Sequence, residues 1–362
     1  MKITEYFSQL VQIDSPSGAE HEMAVFLIEW LDKLGFTVVQ DSVGNVFASI
    51  NVFKGCSATL LLCGHMDTVQ PGIGIVPVLE KGIYKSKGNT ILGADNKASI
   101  AAIMVAVETF FSDSKNAKKP LEIIFTVKEE TGGGIDVFDF KLPTAKTILI
   151  CDYAQPIGTV VLGSPFIQNF TVKFTGKSAH SSRRDLGINA FAGLADFLQE
   201  VEVGLFDDGL TLVNIGKVTG GTGVNTIPGN CKIYGEVRSF KKDLFQKKIG
   251  IVESIAQKIA KEKGLQVSFL TDGFCPGYLY EECDEHIQKA AVIVETITGN
   301  KAKFKKTFGV SDANITVSAG FDTIVISDGV KDPHTTKESV AVTDLVLLSK
   351  VVGEFIECKC ES

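Results

Sequence analysis

Apolar and polar positions change rhythm along the chain, and each rhythm predicts an element. Ile3, Phe7, Leu10 and Val11 keep helical spacing, which predicts an opening helix, followed by a polar loop over 12–20. A second helix is predicted over 22–34, with Ala24, Phe26, Leu27, Leu31 and Leu34 on one side and Gly35 as its C-cap. Short apolar runs bounded by turn residues predict strands over 36–40, 46–52, 59–63, 121–127 and 147–151, with a shorter one near 82–85. A small-residue helix is predicted from just after Asp95 to about Phe111. Alternation of strands with helices is the α/β pattern, in which sites form at the carboxyl edge of the sheet.

From 164 to 274 the rhythm differs. The expected order is strand (166–175), helix (187–202), strand (210–219), strand (229–240), long amphipathic helix (242–263) and closing strand (265–270). That is the order of a ferredoxin-like α+β unit. Afterwards helices over 284–298 and 314–319, a strand over 323–327 and a helix over 342–356 restore the first rhythm. The expected fold is therefore a discontinuous α/β domain (1–163 and 275–362), with a central mixed sheet flanked by helices, interrupted by an inserted domain (164–274). A chain of 362 residues has the length for two domains.

Composition narrows the function. A formal charge of −7 with only short lysine clusters (115–119 and 301–306) argues against a nucleic-acid binder. No apolar run reaches membrane-spanning length and the N-terminus lacks an apolar leader, so a cytoplasmic protein is expected. The eight cysteines are scattered and fit reduced thiols; the closest pair, Cys358 and Cys360, has no second pair to make a zinc ribbon.

Candidate chemistry gathers where strands end. His65 and Asp67 follow the Leu60–Cys63 run, Glu129 and Glu130 follow 121–127, and Asp152 follows 147–151. Taken singly, His-x-Asp is equally a strand end with a turn carboxylate, Asp95 a helix-start residue, and Glu-Glu a charged turn. Taken together, His65, Asp95, Glu130, Asp152 and the late His334 make an N/O donor set suited to Zn²⁺, or to Mn²⁺ or Co²⁺. Five protein donors exceed what one catalytic zinc takes and suit two ions about 3.5–4 Å apart. Glu129, beside Glu130, is the candidate proton carrier. The glycines after it lack the Lys-Ser/Thr of a phosphate loop.

Gly64-His65-Met66-Asp67-Thr68, Gly93-Ala94-Asp95-Asn96-Lys97, Glu129-Glu130 before glycines, Asp152, Gly176-Lys177-Ser178-Ala179-His180-Ser181 and His334 occur in the order seen in M20-type metallopeptidases, which the chain resembles over nearly its whole length. Gly187-Ile188-Asn189-Ala190 and the run Gly220–Pro228 resemble the peptidase T-like branch, the tripeptide aminopeptidases. The resemblance implies a dinuclear zinc exopeptidase acting on small peptides, in which a metal-bridged water attacks the scissile carbonyl. It implies His65, Asp95 and Asp152 on one ion and Asp95, Glu130 and His334 on the other, with Asp95 bridging. Asp67 would support His65, and Glu129 would be the general acid/base. His180 would stabilise the oxyanion, usually across a dimer interface, and Asn225 and Arg238 would anchor substrate. It further implies a homodimer formed through the inserted lid/dimerisation domain.

Two departures bear on specificity. Lys128 stands where peptidase T carries an acidic residue, and Tyr153-Ala154-Gln155-Pro156 replaces a glycine-rich acidic stretch. N-acyl amino acid deacylase and carboxypeptidase activities remain alternatives within the family. A catalytically silent binding or scaffold module is the alternative of another class.

Overall fold

A computed structural model of the chain describes residues 2–358, so Cys360 lies outside the described residues. They divide into two compact units: 2–162, 280–306 and 311–358 in the first, 163–279 and 307–310 in the second.

In the first unit the sheet runs, in spatial order, Thr37–Gln40, Val46–Ile50, Leu121–Thr126, Leu60–His65, Thr147–Cys151, Asp322–Ile326 and Thr159–Ser164. The four strands from Leu121–Thr126 to Asp322–Ile326 are parallel to their neighbours within that group; the flanking pairs are antiparallel, which makes the sheet mixed. Strands buried on both faces need no alternation, and every residue of Leu60–His65 and Leu121–Thr126 is buried. Phe7, Leu31, Ile103, Ile287 and Leu348 bring their helices into one apolar cluster with Leu62, Ile123, Leu149 and Ile324 of the sheet. The helix Ala94–Ser112 is buried nearly all round, and Ala98, Ala101 and Ala102 keep it slim. Gly64 faces it closely: a Cβ there would meet Asn96 Oδ1 at 3.1 Å.

In the second unit Gly204–Phe206, Thr211–Gly220, Asn230–Ser239, Phe166–Thr175 and Gln266–Cys275 form an antiparallel sheet in that order. Without its short edge strand, the order by sequence is second, third, first, fourth, the ferredoxin-like arrangement. Helices Ala190–Glu200 and Lys242–Lys263 cover it through Phe197, Val252, Ala256 and Ile259.

Several boundaries differ from those expected. Residues 275–279 belong to the second unit, because Tyr278 and Leu279 pair with Ser164 and Gly163. The helix expected from 187 begins at Ala190, where the Asn189 side chain accepts from Phe191 N–H at 2.9 Å; Gly187 before it is extended. The helix expected from 314 begins at Asp312, capped by Ser311 and Asn314. The strand Thr159–Ser164 was not expected, nor was the small sheet of Pro77–Glu80, Ile83–Ser86 and Ser339–Ala341 beyond its middle strand. His286 is half-buried against the Tyr280 ring, with centroids 4.4 Å apart. Cys56, Cys63, Cys151, Cys231 and Cys283 are free thiols. Among the described residues no helix is long and apolar enough to cross a membrane.

Candidate metal centre

Four parallel strands end at one edge of the first unit, and the loops beyond them carry the candidate donors. His65 closes its strand, and Asp152 follows the last residue of Thr147–Cys151. After Thr126 the chain turns sharply at Lys128 (φ +54) into the 3-10 turn Glu129–Thr131. The three glycines that follow have a mechanical explanation. Gly132 and Gly133 have φ of +73 and +96, and a Cβ on Gly134 would lie 1.7 Å from the Val127 carbonyl oxygen. Asn45 pins this loop, donating to the Gly134 carbonyl at 3.0 Å and accepting from Val127 N–H at 3.0 Å.

Asp95 opens the segment Ala94–Ser112, yet its own backbone is not helical (φ −81, ψ 105), and the Asp95–Asn96 peptide is cis. The non-helical φ and ψ set Asp95 apart from the helix that follows it. Its two oxygens face two different imidazoles: Oδ1 lies 3.1 Å from His65 Nε2, and Oδ2 lies 3.4 Å from His334 Nε2. His334 Nε2 is also 3.0 Å from Glu130 Oε1. On the other side, His65 Nε2 is 3.9 Å from Asp152 Oδ1 and 4.0 Å from Glu129 Oε2. Thus His65, Asp95, Glu129, Glu130, Asp152 and His334 are gathered in the first unit. His180, Asn225 and Arg238 lie in the second.

His65 Nδ1 sits 3.1 Å from the main-chain oxygen of Asp67, which can only accept, so Nδ1 carries a proton and Nε2 is the atom that faces the cluster. The Asp67 carboxylate, fully buried and 3.4 Å from the same nitrogen, does more than support the ring. It accepts from Glu129 N–H at 2.9 Å, Glu130 N–H at 3.2 Å and the Ser17 hydroxyl at 2.7 Å. One carboxylate therefore ties the histidine to the turn that carries both glutamates.

The centre is crowded with negative charge. Among the described residues no lysine or arginine forms an ion pair with Asp95, Glu129, Glu130 or Asp152, whose ion-pair partners are histidines. Burial, then the neighbouring Asp95, pushes the Asp152 carboxyl up to about 8. Burial, despite the opposing pull of His65, holds Glu129 well above the usual carboxylate range. Hydrogen bonding to Asp95 and Glu130 raises His334 to about 10. These groups respond as a donor set lacking its positive charge. Asp328 was missed in the sequence, although it follows an apolar strand just as Asp152 does. It is buried within 4.8 Å of donor atoms of Asp95 and Asp152, and its Oδ2 has no hydrogen-bond partner. Nε2 atoms at 3.0–3.4 Å from carboxylate oxygens need a positive charge between or upon them, and such spacings suit adjacent donors to one ion. The residues present therefore fit divalent ions, and their number is enough for two.

In the second unit His180 is exposed and its Nδ1 lies 2.8 Å from Ser182 Oγ. Asn225 is next to it, its carbonyl accepting from Ser181 N–H at 2.9 Å. Arg238 is half-buried; it donates to the Phe308 carbonyl and to Glu236 at 3.0 Å, and its Nε has no partner.

Strand ends bearing imidazoles and carboxylates, a shared aspartate and a second glutamate free to carry a proton define the class: a metal-dependent hydrolase of the two-ion kind. Comparison with known proteins agrees. A peptidase dimerisation domain model of the M20 type matches residues 164–264, and the model of peptidase family M28 matches residues 45–149. The aminopeptidase PepT of Bacillus cereus ATCC 10987 is 29% identical, with 98% of this chain and 97% of that one covered and a TM-score of 0.92. A Staphylococcus aureus tripeptidase is 27% identical, with 98% and 97% covered and a TM-score of 0.89. An uncharacterised Bacillus subtilis (strain 168) protein, YqjE, is 28% identical, with 98% of each chain covered. Along nearly its whole length the chain is similar to metallopeptidases of the M20 type, with an aminopeptidase PepT and a tripeptidase among its structural neighbours.

Proposed function

We propose that the protein is an exopeptidase that trims small peptides, with His65, Asp95 and Asp152 holding one divalent ion and Asp95, Glu130 and His334 the other. The observation that carries this is the Asp95 carboxylate, each of whose oxygens faces a different imidazole. Zn²⁺ suits the N/O donors, as do Mn²⁺ and Co²⁺. When bound, such a pair supplies Lewis-acid polarisation of the scissile carbonyl and lowers the pKa of water.

The chain's own residues do the rest. Glu129 Oε2, beside the His65 end of the cluster, takes the proton from the attacking water and returns it to the leaving amine. Burial favours its protonated form, which suits a group that must hold a proton between the two steps. Asp67 holds the main chain of Glu129 and Glu130, so that adjacent residues keep separate duties, proton transfer and ion binding. His180 is proposed to stabilise the oxyanion, on the strength of the Gly176–Ser181 motif. Asn225 and Arg238 are proposed to anchor substrate; Arg238 would exchange Glu236 for a substrate carboxylate. A homodimer formed through 164–274 is supported by the dimerisation-domain match, and a cytoplasmic setting by the free thiols.

The test is a side-by-side panel of free-amine tripeptides, dipeptides and N-acetyl amino acids, with Zn²⁺, Mn²⁺ or Co²⁺ added. Preferential hydrolysis of the free-amine peptides is expected. Turnover of N-acetyl amino acids alone would make the enzyme a deacylase, and no turnover with metal bound would make it a scaffold.

A further inference from the structure

Glu338 joins the loop that carries His334 to the loop that carries Asp95. Its carboxylate is 2% exposed and accepts three main-chain N–H groups: Leu92 at 2.8 Å and Gly93 at 2.7 Å on Oε2, and Asp95 at 3.0 Å on Oε1. Those N–H groups need it. Gly93 is left-handed (φ +68), and Asp95 and Asn96 depart from helical geometry, so the segment's first turn is irregular. A buried N–H left without a partner is destabilising. The other end of the clamp is equally firm. Lys331 and Ser339 exchange main-chain hydrogen bonds of 2.9 and 3.0 Å at the base of the His334 loop, and Glu338 N–H closes on the Thr335 carbonyl at 3.1 Å. Directly after Glu338, Ser339–Ala341 pairs with Ile83–Ser86. Both the donors and the acceptor are thus held by backbone.

We propose that Glu338 is the positioning residue of the shared aspartate: it fixes the Asp95 main chain so that one carboxylate oxygen is presented towards His65 and the other towards His334. The proposal rests on the two-ion function above. Glu338 touches neither ion nor substrate; it acts through Asp95. The carboxylate is required because both of its oxygens accept. In Glu338→Gln the single amide oxygen serves either Asp95 or the Leu92–Gly93 pair, and the NH₂ confronts the other.

Three measurements on the full chain test this. Amide hydrogen exchange of the metal-free protein should quicken across 92–95 in Glu338→Gln, with the circular dichroism unchanged. Binding of the second Mn²⁺ should weaken about 10- to 100-fold, the range for loss of a group that orients a ligand. The exchange-coupled electron paramagnetic resonance signal of a carboxylate-bridged Mn²⁺ pair should be lost. Glu338→Asp keeps the carboxylate on a shorter arm, and should retain the coupled signal with weaker binding. It also decides the matter if the glutamine variant does not fold: wild-type affinity for both ions in Glu338→Asp overturns the proposal. Unchanged exchange at 92–95 in Glu338→Gln, or an unchanged second-ion affinity with the coupled signal intact, overturns it as well. A wild-type protein that binds fewer than two Mn²⁺ contradicts the two-ion function instead, and the exchange comparison, made without metal, still decides whether Glu338 clamps Asp95.

Discussion

Replacing Asp67 by asparagine separates its two duties without changing its shape. The wild-type carboxylate serves four donors: the N–H groups of Glu129 and Glu130, the Ser17 hydroxyl and, at 3.4 Å, His65 Nδ1. Asparagine has one acceptor oxygen. With that oxygen in the Oδ1 position, the Glu129 bond survives, and the NH₂ in the Oδ2 position donates to a rotated Ser17 hydroxyl. Glu130 N–H is then left facing another N–H inside the protein, which costs about 1–3 kcal/mol. The negative charge beside His65 is also lost, and the ring becomes a poorer donor through Nε2; losses of this kind weaken metal affinity about 10- to 100-fold. Calorimetric titration of the metal-free Asp67→Asn protein with Mn²⁺, alongside its thermal unfolding midpoint, reads both effects. The expected result is weaker binding at the ion held by His65, a lower midpoint, and slower turnover at saturating metal because the unpaired Glu130 N–H loosens the turn that carries both glutamates. Wild-type affinity together with wild-type turnover would show that Asp67 orients neither the imidazole nor the glutamate turn.

Further outcomes follow from the same geometry. Glu129→Gln should keep both ions and lose about 10²- to 10⁴-fold in kcat, the contribution of a positioned proton carrier; elemental analysis beside steady-state kinetics checks it, and unchanged turnover removes Glu129 from that role. His180→Ala should lower kcat while leaving metal content intact; an unaltered kcat would exclude His180 from oxyanion stabilisation. Gly134→Ala cannot seat its Cβ 1.7 Å from the Val127 carbonyl, so the loop after Glu130 must move. The unfolding midpoint should fall and turnover with it, and a wild-type midpoint would mean that the loop is pliable.

Much of the α/β unit was legible because buried parallel strands are continuous apolar runs: Leu60–His65, Leu121–Thr126 and Thr147–Cys151 stand out with no partner in view. The ferredoxin-like unit was legible for the opposite reason, since its strands alternate on one covered face, as Phe166–Thr175 does. Thr159–Ser164 was missed because Gly158, Gly163 and Ser164 made its apolar core read as loop. The candidate donors could be picked out as a set only because ligands cluster where strands end, and Asp328 obeys the same rule behind 323–327 yet was passed over. Glu338 had no such signal. It lies in a polar stretch, Thr335-Thr336-Lys337-Glu338, and what distinguishes it is a hydrogen-bonding partnership with Leu92, Gly93 and Asp95, more than 240 residues away. Long-range polar pairing of this kind leaves no periodicity. The irregular backbone at Asp95 was hidden likewise, because the small residues after it predict a helix whatever its first turn does.

The central claim is that one chain holds two divalent ions on a shared Asp95. Equilibrium dialysis of the metal-free protein against Zn²⁺, followed by elemental analysis, tests it most directly when wild type and Asp95→Ala are measured together. Two ions per chain in the wild type are expected, with both lost or greatly weakened in Asp95→Ala, because the removed carboxylate faces both His65 and His334. A wild-type chain that takes up a single ion, or an Asp95→Ala variant that still binds two with undiminished affinity, would contradict the account.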